Sequence, residues 1–137
     1  MGVAIEMVPA TAIKTLPQAA ALARAMASSA KVGINLDLLH LYRSGSSPAE
    51  AADFLDAIVY AQVCDGPIAR PEAEWREEAA AQRARPGDGE QDVRTFLDLL
   101  ADVPTSVEVP DGEGLRQGIS PALRASAALS ATYNMLK

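Results

Sequence analysis

Apolar and polar positions along the chain follow one rhythm four times. A short apolar or alternating run comes first, and a stretch with apolar residues three and four apart follows it. The runs VAIEMV (3–8), VGINLDL (32–38), IVYAQVCD (58–65) and TSVEVP (105–110) predict strands. The stretches between them predict helices, each with one apolar face. Leu16, Ala19, Leu22, Ala23 and Met26 make the first, and Ala51, Leu55 and Ile58 the second. Val93, Phe96, Leu97 and Leu100 make the third, and Leu129, Tyr133 and Leu136 the fourth. Start signals agree: Ser47-Pro48-Ala49-Glu50 reads as a capping box with proline at the first helical position, Ser120-Pro121 repeats the proline device, and Asp92 caps the helix after it. Strand and helix in alternation give an α/β fold with a parallel sheet and right-handed crossovers.

Side chains alternate across a strand, so each run splits into two faces. One parity holds Val3, Ile5 and Met7, Val32, Ile34 and Leu36, Val59, Ala61 and Val63, Val107 and Val109, and is apolar throughout. The other holds Ala4 and Glu6, Gly33, Asn35 and Asp37, Tyr60 and Gln62, Ser106 and Glu108, and is small or polar. In an antiparallel sheet the polar parity would face water; helical crossovers argue instead for parallel strands, covered on both faces or closed into a barrel. In a barrel, Glu6, Asp37, Gln62 and Glu108, all late in their strands, converge at the carboxyl end of the sheet, and Tyr60 fills the interior. Three carboxylates brought together lose hydration and repel one another, so either some are protonated or a cation sits between them. Oxygen donors suit magnesium or manganese, and one cysteine excludes a sulfur-rich zinc site.

Residues 65–91 break the rhythm. The segment opens with DGPIARPEAEW, passes through the helix-compatible REEAAAQRA and ends in RPGDGEQD, where proline and two glycines demand a turn. A connection this long is expected to be a lid or a substrate-binding loop. Glu72, Glu74, Glu77 and Glu78 are expected to form its solvated face. Trp75 is expected to anchor it on the barrel top, with stacking on a bound ligand as the alternative.

Composition narrows the function classes. The chain has 137 residues, 49% of them hydrophobic, which fits one domain with one core. No run of about 18 apolar residues offers a membrane span and no signal-peptide pattern is present, so the expected compartment is the cytoplasm. Cys64 is the sole cysteine and lies in an apolar run, which predicts a buried thiol. A net charge of -6 without a basic cluster repels phosphate backbones, so the expected partner is a small molecule or a protein, with neither nucleic acid nor membrane.

Four motifs in order, VGINLDLLHLYRSG, YAQVCDGP, RARPGDGEQD and TSVEVP, with AIEMVP ahead of them, resemble the C-terminal half of the sugar phosphate isomerase/epimerase family of xylose isomerase-like TIM barrels. The resemblance covers nearly the whole chain and implies about four βα units of a barrel, strands five to eight, over residues 1–137. It implies that Glu6, Asp37, Gln62 and Glu108 bind a divalent metal, manganese or magnesium. It further implies that Glu6 and Glu108 are the catalytic acid/base pair, shuttling a proton through an enediolate of a sugar or polyol substrate. His40 then matches a substrate contact, against the alternative of a packing or surface histidine. Arg83 matches an arginine that meets the substrate's oxygens, with Arg85 as the neighbouring candidate and a solvated loop arginine as the other reading.

Two departures from the family pattern bear on function. Many epimerases of this group carry histidine where this chain has Gln62, and glutamine there is similar to relatives that look like 3-dehydroshikimate dehydratases. A complete barrel needs about 250 residues, so the expected form is a fragment, a half-barrel closed as a homodimer, or one that meets an N-terminal half. A non-catalytic assembly module is therefore the alternative from another function class.

Overall fold

A computed structural model describes residues 2–27 and 31–137. Four strands, β1 (Gly2–Glu6), β2 (Lys31–Asp37), β3 (Ile58–Val63) and β4 (Thr105–Val107), form one sheet in that order, every pair parallel. Helices α1 (Leu16–Met26), α2 (Leu38–Arg43), α3 (Pro48–Ala51), α4 (Trp75–Ala81), α5 (Val93–Leu99), α6 (Gly112–Arg116) and α7 (Pro121–Met135) fill the connections. This is the expected architecture: four successive strand and helix units, half of an eight-stranded barrel.

The helix-facing side of the sheet makes the core. Met7, Ile34, Leu36, Ala61 and Val63 are buried against Leu16, Ala19, Ala20 and Ala23 of α1 and Val93, Phe96 and Leu97 of α5. Capping follows the sequence signals. Ser47 and Glu50 form the capping box of α3, Asp92 accepts from the Thr95 N–H at 3.0 Å, and Ser120 caps α7.

Several expectations need correction, and Leu22 and Met26, read as part of the apolar face of α1, are exposed. In β3 the apolar parity slips by one: Ile34 pairs with Ile58 but Asn35 with Tyr60, so Val59 is an extra, bulged residue. Ile58 therefore joins the core, while Val59 is 50% exposed and leans over Gly33, where any Cβ would come within 2.3 Å of its Cγ1. The stretch around Ala51, Leu55 and Ile58 is not one amphipathic helix. After α3 it tightens into a 3₁₀ turn over Ala52–Ala57, which leaves Leu55 exposed. On α7 the predicted stripe of Leu129, Tyr133 and Leu136 is exposed, and the helix packs instead through Ala128, Thr132 and Met135.

The loop 65–91 is stapled rather than loose. Asp65 exchanges both backbone hydrogen bonds with Ala84 at 2.9 Å. Its buried carboxylate accepts from four backbone N–H groups, Gly66 (2.7 Å), Gly87 (2.9 Å), Gly89 (3.0 Å) and Gln91 (3.0 Å). A Cβ on residue 89 would lie 2.3 Å from the Asp65 Oδ1, so only glycine lets the turn close on its acceptor. Glu78 was expected in solvent but is wholly buried in a bidentate pair with Arg43, both contacts at 2.7 Å. Arg43 also donates to the carbonyls of Pro67 (2.8 Å) and Ile68 (2.9 Å), which ties α2 to the loop.

Candidate metal centre

The carboxyl ends of the strands carry the chemistry. Glu6 and Asp37 are the last residues of β1 and β2, Gln62 is the penultimate residue of β3, and Glu108 follows β4 with its N–H on the Val63 carbonyl at 2.9 Å. Asp37 and Gln62 are register partners. Asp37 ends its strand because it starts the next helix: Oδ1 caps α2 by accepting from the His40 N–H at 3.0 Å. The same cap carries His40 to the site, where its Nε2 lies 3.8 Å from Glu6 Oε1. Ligand atoms of Glu6, Asp37 and His40 all fall within 4.8 Å of one another.

Arg83 enters from the loop after α4. Its Nη1 meets Asp37 Oδ2 at 2.5 Å, and Nη2 lies 3.4 Å from Glu108 Oε1. Nε donates to the Ala79 carbonyl at 3.2 Å. Gln62 donates its amide to Glu108 and accepts from the Asn35 amide. Arg85, the other candidate, pairs with Asp88 at 3.1 Å on the exposed turn.

Electrostatics separates these groups. Burial raises the pKa of Glu6 above the usual carboxylate value, and repulsion from Asp37 and Glu108 adds to it. Burial likewise raises Glu108, Arg83 pulls it back, and Asp37 raises it further. Burial lowers His40 and so favours the neutral imidazole, whose lone pair is then free. Burial works against the Arg83 charge, yet Asp37, Cys64 and Glu108 more than restore it. The Cys64 thiol, fully buried, is pushed up to about 12 and is not a nucleophile.

The donor set fits a divalent cation. Arg83 pairs with only two of the three carboxylates, Asp37 and Glu108, the pKa values of Glu6 and Glu108 are both raised, and the Asn35 Oδ1 is buried without a hydrogen-bond partner. Among the described residues the ligand group Glu6, Asp37 and His40 offers oxygen and nitrogen only, the donors of hard and borderline ions. Beside it lies a cleft of about 290 Å³, walled by Val8, Pro9, Leu39, Trp75 and Ala79 and floored by His40. Trp75 donates its indole N–H to the Arg70 carbonyl at 2.9 Å, which fixes the ring against that cleft. Asn35, Asp65 and the Arg43–Glu78 pair escaped sequence reasoning. Only the parity of Asn35 and the glycine-rich RPGDGEQD turn hinted at them.

A family model described as a xylose isomerase-like TIM barrel matches residues 1–130. The fold is similar to that of the IOLI protein solved with a zinc atom (23% identity, TM-score 0.72), with 99% of this chain and 48% of that one covered. It is also similar to a probable 3-DHS dehydratase, AsbF, from Bacillus anthracis (16% identity, TM-score 0.75), with 100% and 50% covered. An L-ribulose 3-epimerase has 14% identity and a TM-score of 0.65, with 96% and 46% covered. The chain thus spans about half the length of these structures. No curated protein matches it.

Proposed function

The chain belongs to the xylose isomerase-like TIM barrel family, and from that premise we propose that it serves a divalent-metal-dependent sugar or sugar phosphate isomerase or epimerase. In this reading one carboxylate takes a proton from carbon and a second returns it. The observation that carries the reading is the pair Glu6 and Glu108. They stand at strand ends on either side of Asp37, and burial holds both above the ordinary carboxylate range. A carboxylate with a raised pKa works as a base in one protonation state and as an acid in the other.

Glu6, Asp37, Gln62 and Glu108 would hold the metal, manganese or magnesium, with His40 beside Glu6 as the nitrogen within reach. Bound there, the ion would supply the charge that polarises a carbonyl and its neighbouring hydroxyl and acidifies the C–H of the hydroxyl-bearing carbon. His40, kept neutral, offers a hydrogen bond to a substrate hydroxyl. Arg83 orients Asp37 through Nη1 and turns Nη2, only loosely held by Glu108, toward a substrate oxygen. The cleft under Trp75 takes the rest of the substrate and shields it from water.

Gln62 favours a second reading, removal of water from a hydroxy-keto acid of the 3-dehydroshikimate type. An amide is a weaker ligand than imidazole, and here it also bridges Asn35 and Glu108. The similar fold of the probable 3-DHS dehydratase is consistent with that alternative.

The test is manganese calorimetry on wild type, Asp37→Asn and Glu108→Gln, followed by incubation with ketoses in D₂O and NMR. Binding lost in both variants, with deuterium wash-in at one carbon, is the expected result. A folded wild type that binds no manganese overturns the enzymatic reading at this length and leaves an assembly role.

A further inference from the structure

We infer that Asn35 is a positioning residue for the strand-end site: its amide sets the Gln62 amide, and Gln62 in turn sets one oxygen of Glu108. Asn35 Nδ2 donates to Gln62 Oε1, and Gln62 Nε2 donates to Glu108 Oε2. The direction of this relay follows from what each group can offer. An ionised carboxylate only accepts, so Gln62 must turn its NH2 toward Glu108, and its oxygen then needs a donor on the other side. Asn35 is that donor. With an acceptor or an apolar side chain in its place, the Gln62 amide would be free to turn its oxygen against the carboxylate. Accepting one N–H leaves the Gln62 oxygen a second lone pair.

Strand register alone puts the three side chains on one diagonal. Asn35 and Asp37 share the face of β2 opposite the helices, and their partners on β3 are Tyr60 and Gln62. Gln62 pairs in turn with Ser106 of β4, two residues before Glu108. It therefore lies one step above Asn35 and one step below Glu108, where a single amide reaches both. The bulge at Val59 makes this possible. Without that extra residue, the pairing of Ile34 with Ile58 would run on to Asp37 with Ala61, and Gln62 would point into the helix-facing core. Gly33 gives the Val59 side chain the room it needs. Every contact in the relay lies within β2, β3 and the end of β4.

Glu108 is the carboxylate that needs such a hold. β4 ends at Val107, so Glu108 stands beyond the strand, and its side chain is 35% exposed. One consequence rests on the role proposed for Glu108 above. Oε2 is clamped by Gln62, whereas Oε1 is held loosely by Arg83 Nη2 at 3.4 Å, so Oε1 is the oxygen left for the proton.

The test takes two readings of Asn35→Leu, Gln62→Leu and the double variant. The first is the side-chain amide NMR spectrum of the isotope-labelled, metal-free chain. The Gln62 NH2 pair, identified by its loss in Gln62→Leu, is expected to move in Asn35→Leu and in Glu108→Gln. The second is manganese calorimetry. Asn35→Leu is expected to weaken binding about tenfold, and Gln62→Leu by at least as much. The double variant is expected to bind no more weakly than Gln62→Leu, because Asn35 acts through Gln62. A double variant whose loss is the product of the two single losses overturns the inference, since a merely structural Asn35 gives that product. A Gln62 amide pair that stays in place in Asn35→Leu overturns it too. A wild type that binds no manganese overturns the proposed metal chemistry instead, and the amide spectrum then decides the role of Asn35 by itself. Circular dichroism monitors the fold, and Asn35→Ala replaces Asn35→Leu if that variant loses its helices.

Discussion

Asp65 and Asp37 are both buried aspartates that follow or end a strand, one strand apart, yet their surroundings are opposite. Four backbone N–H groups converge on Asp65, and it holds a loop shut. Asp37 has one backbone N–H and one guanidinium, with two further carboxylates crowding the same space. The difference separates structure from chemistry. A carboxylate whose lone pairs are filled by the backbone is already at rest. A cluster with more negative charge than one arginine can answer remains available to a cation and to protons.

Stability measurements can break this comparison, beginning with the strongest link in the loop. Glu78→Gln leaves the Arg43 guanidinium buried without its counter-charge and is expected to cost about 3–5 kcal/mol in urea unfolding. A cost below about 1 kcal/mol would mean the loop is not held by that pair. Asp65→Asn keeps one acceptor and turns an amide toward N–H groups that need another. The expected loss is about 3 kcal/mol, from two charge-assisted hydrogen bonds, together with faster proteolysis between residues 66 and 91. Gly89→Ala forces a methyl group against Asp65 and is expected to cost about 1–3 kcal/mol, read as a lower urea midpoint at unchanged slope.

The smallest effect sharpens the other side of the comparison. Glu6 and Glu108 have folded pKa values raised above 4.5, so between that value and the folded one the native chain binds more protons than the unfolded chain. Their contribution is fully present at low pH and is lost as pH rises through the folded values. In chelator, wild type should therefore lose stability relative to Glu6→Gln/Glu108→Gln as pH rises from 4.5 toward neutral. An unchanged difference across that range would mean the carboxylates are not strained. Excess manganese should reverse the trend at neutral pH, for wild type alone.

Sequence periodicity made much of this legible, because a strand's parity and a helix's stripe are local properties. The four units, the capping of α3, α5 and α7, and the late placement of Glu6, Asp37, Gln62 and Glu108 all follow from spacing. What escaped depends on partners. A single bulged residue, Val59, shifts the core position in β3 to Ile58, and nothing in the run IVYAQV marks it. The α7 stripe was readable as apolar, but periodicity cannot say whether an apolar flank meets its own sheet or none. Glu78 sat in an acidic run that reads as solvated, and only the fold brings Arg43 to it from 35 residues away.

The paired hydrogen bonds between Asp65 and Ala84 have a consequence for how such a chain can diversify. They pinch the loop at its base, so the excursion between them begins and ends at a fixed point whatever its length. Closure entropy grows only logarithmically, and doubling such an excursion costs about 0.6 kcal/mol. Insertions at the exposed Pro71–Ala73 tip can thus reshape the wall around Trp75 while the sheet and its strand-end carboxylates stay where they are. The shape of that cleft can drift in this protein by lengthening one loop, with the strand ends left untouched.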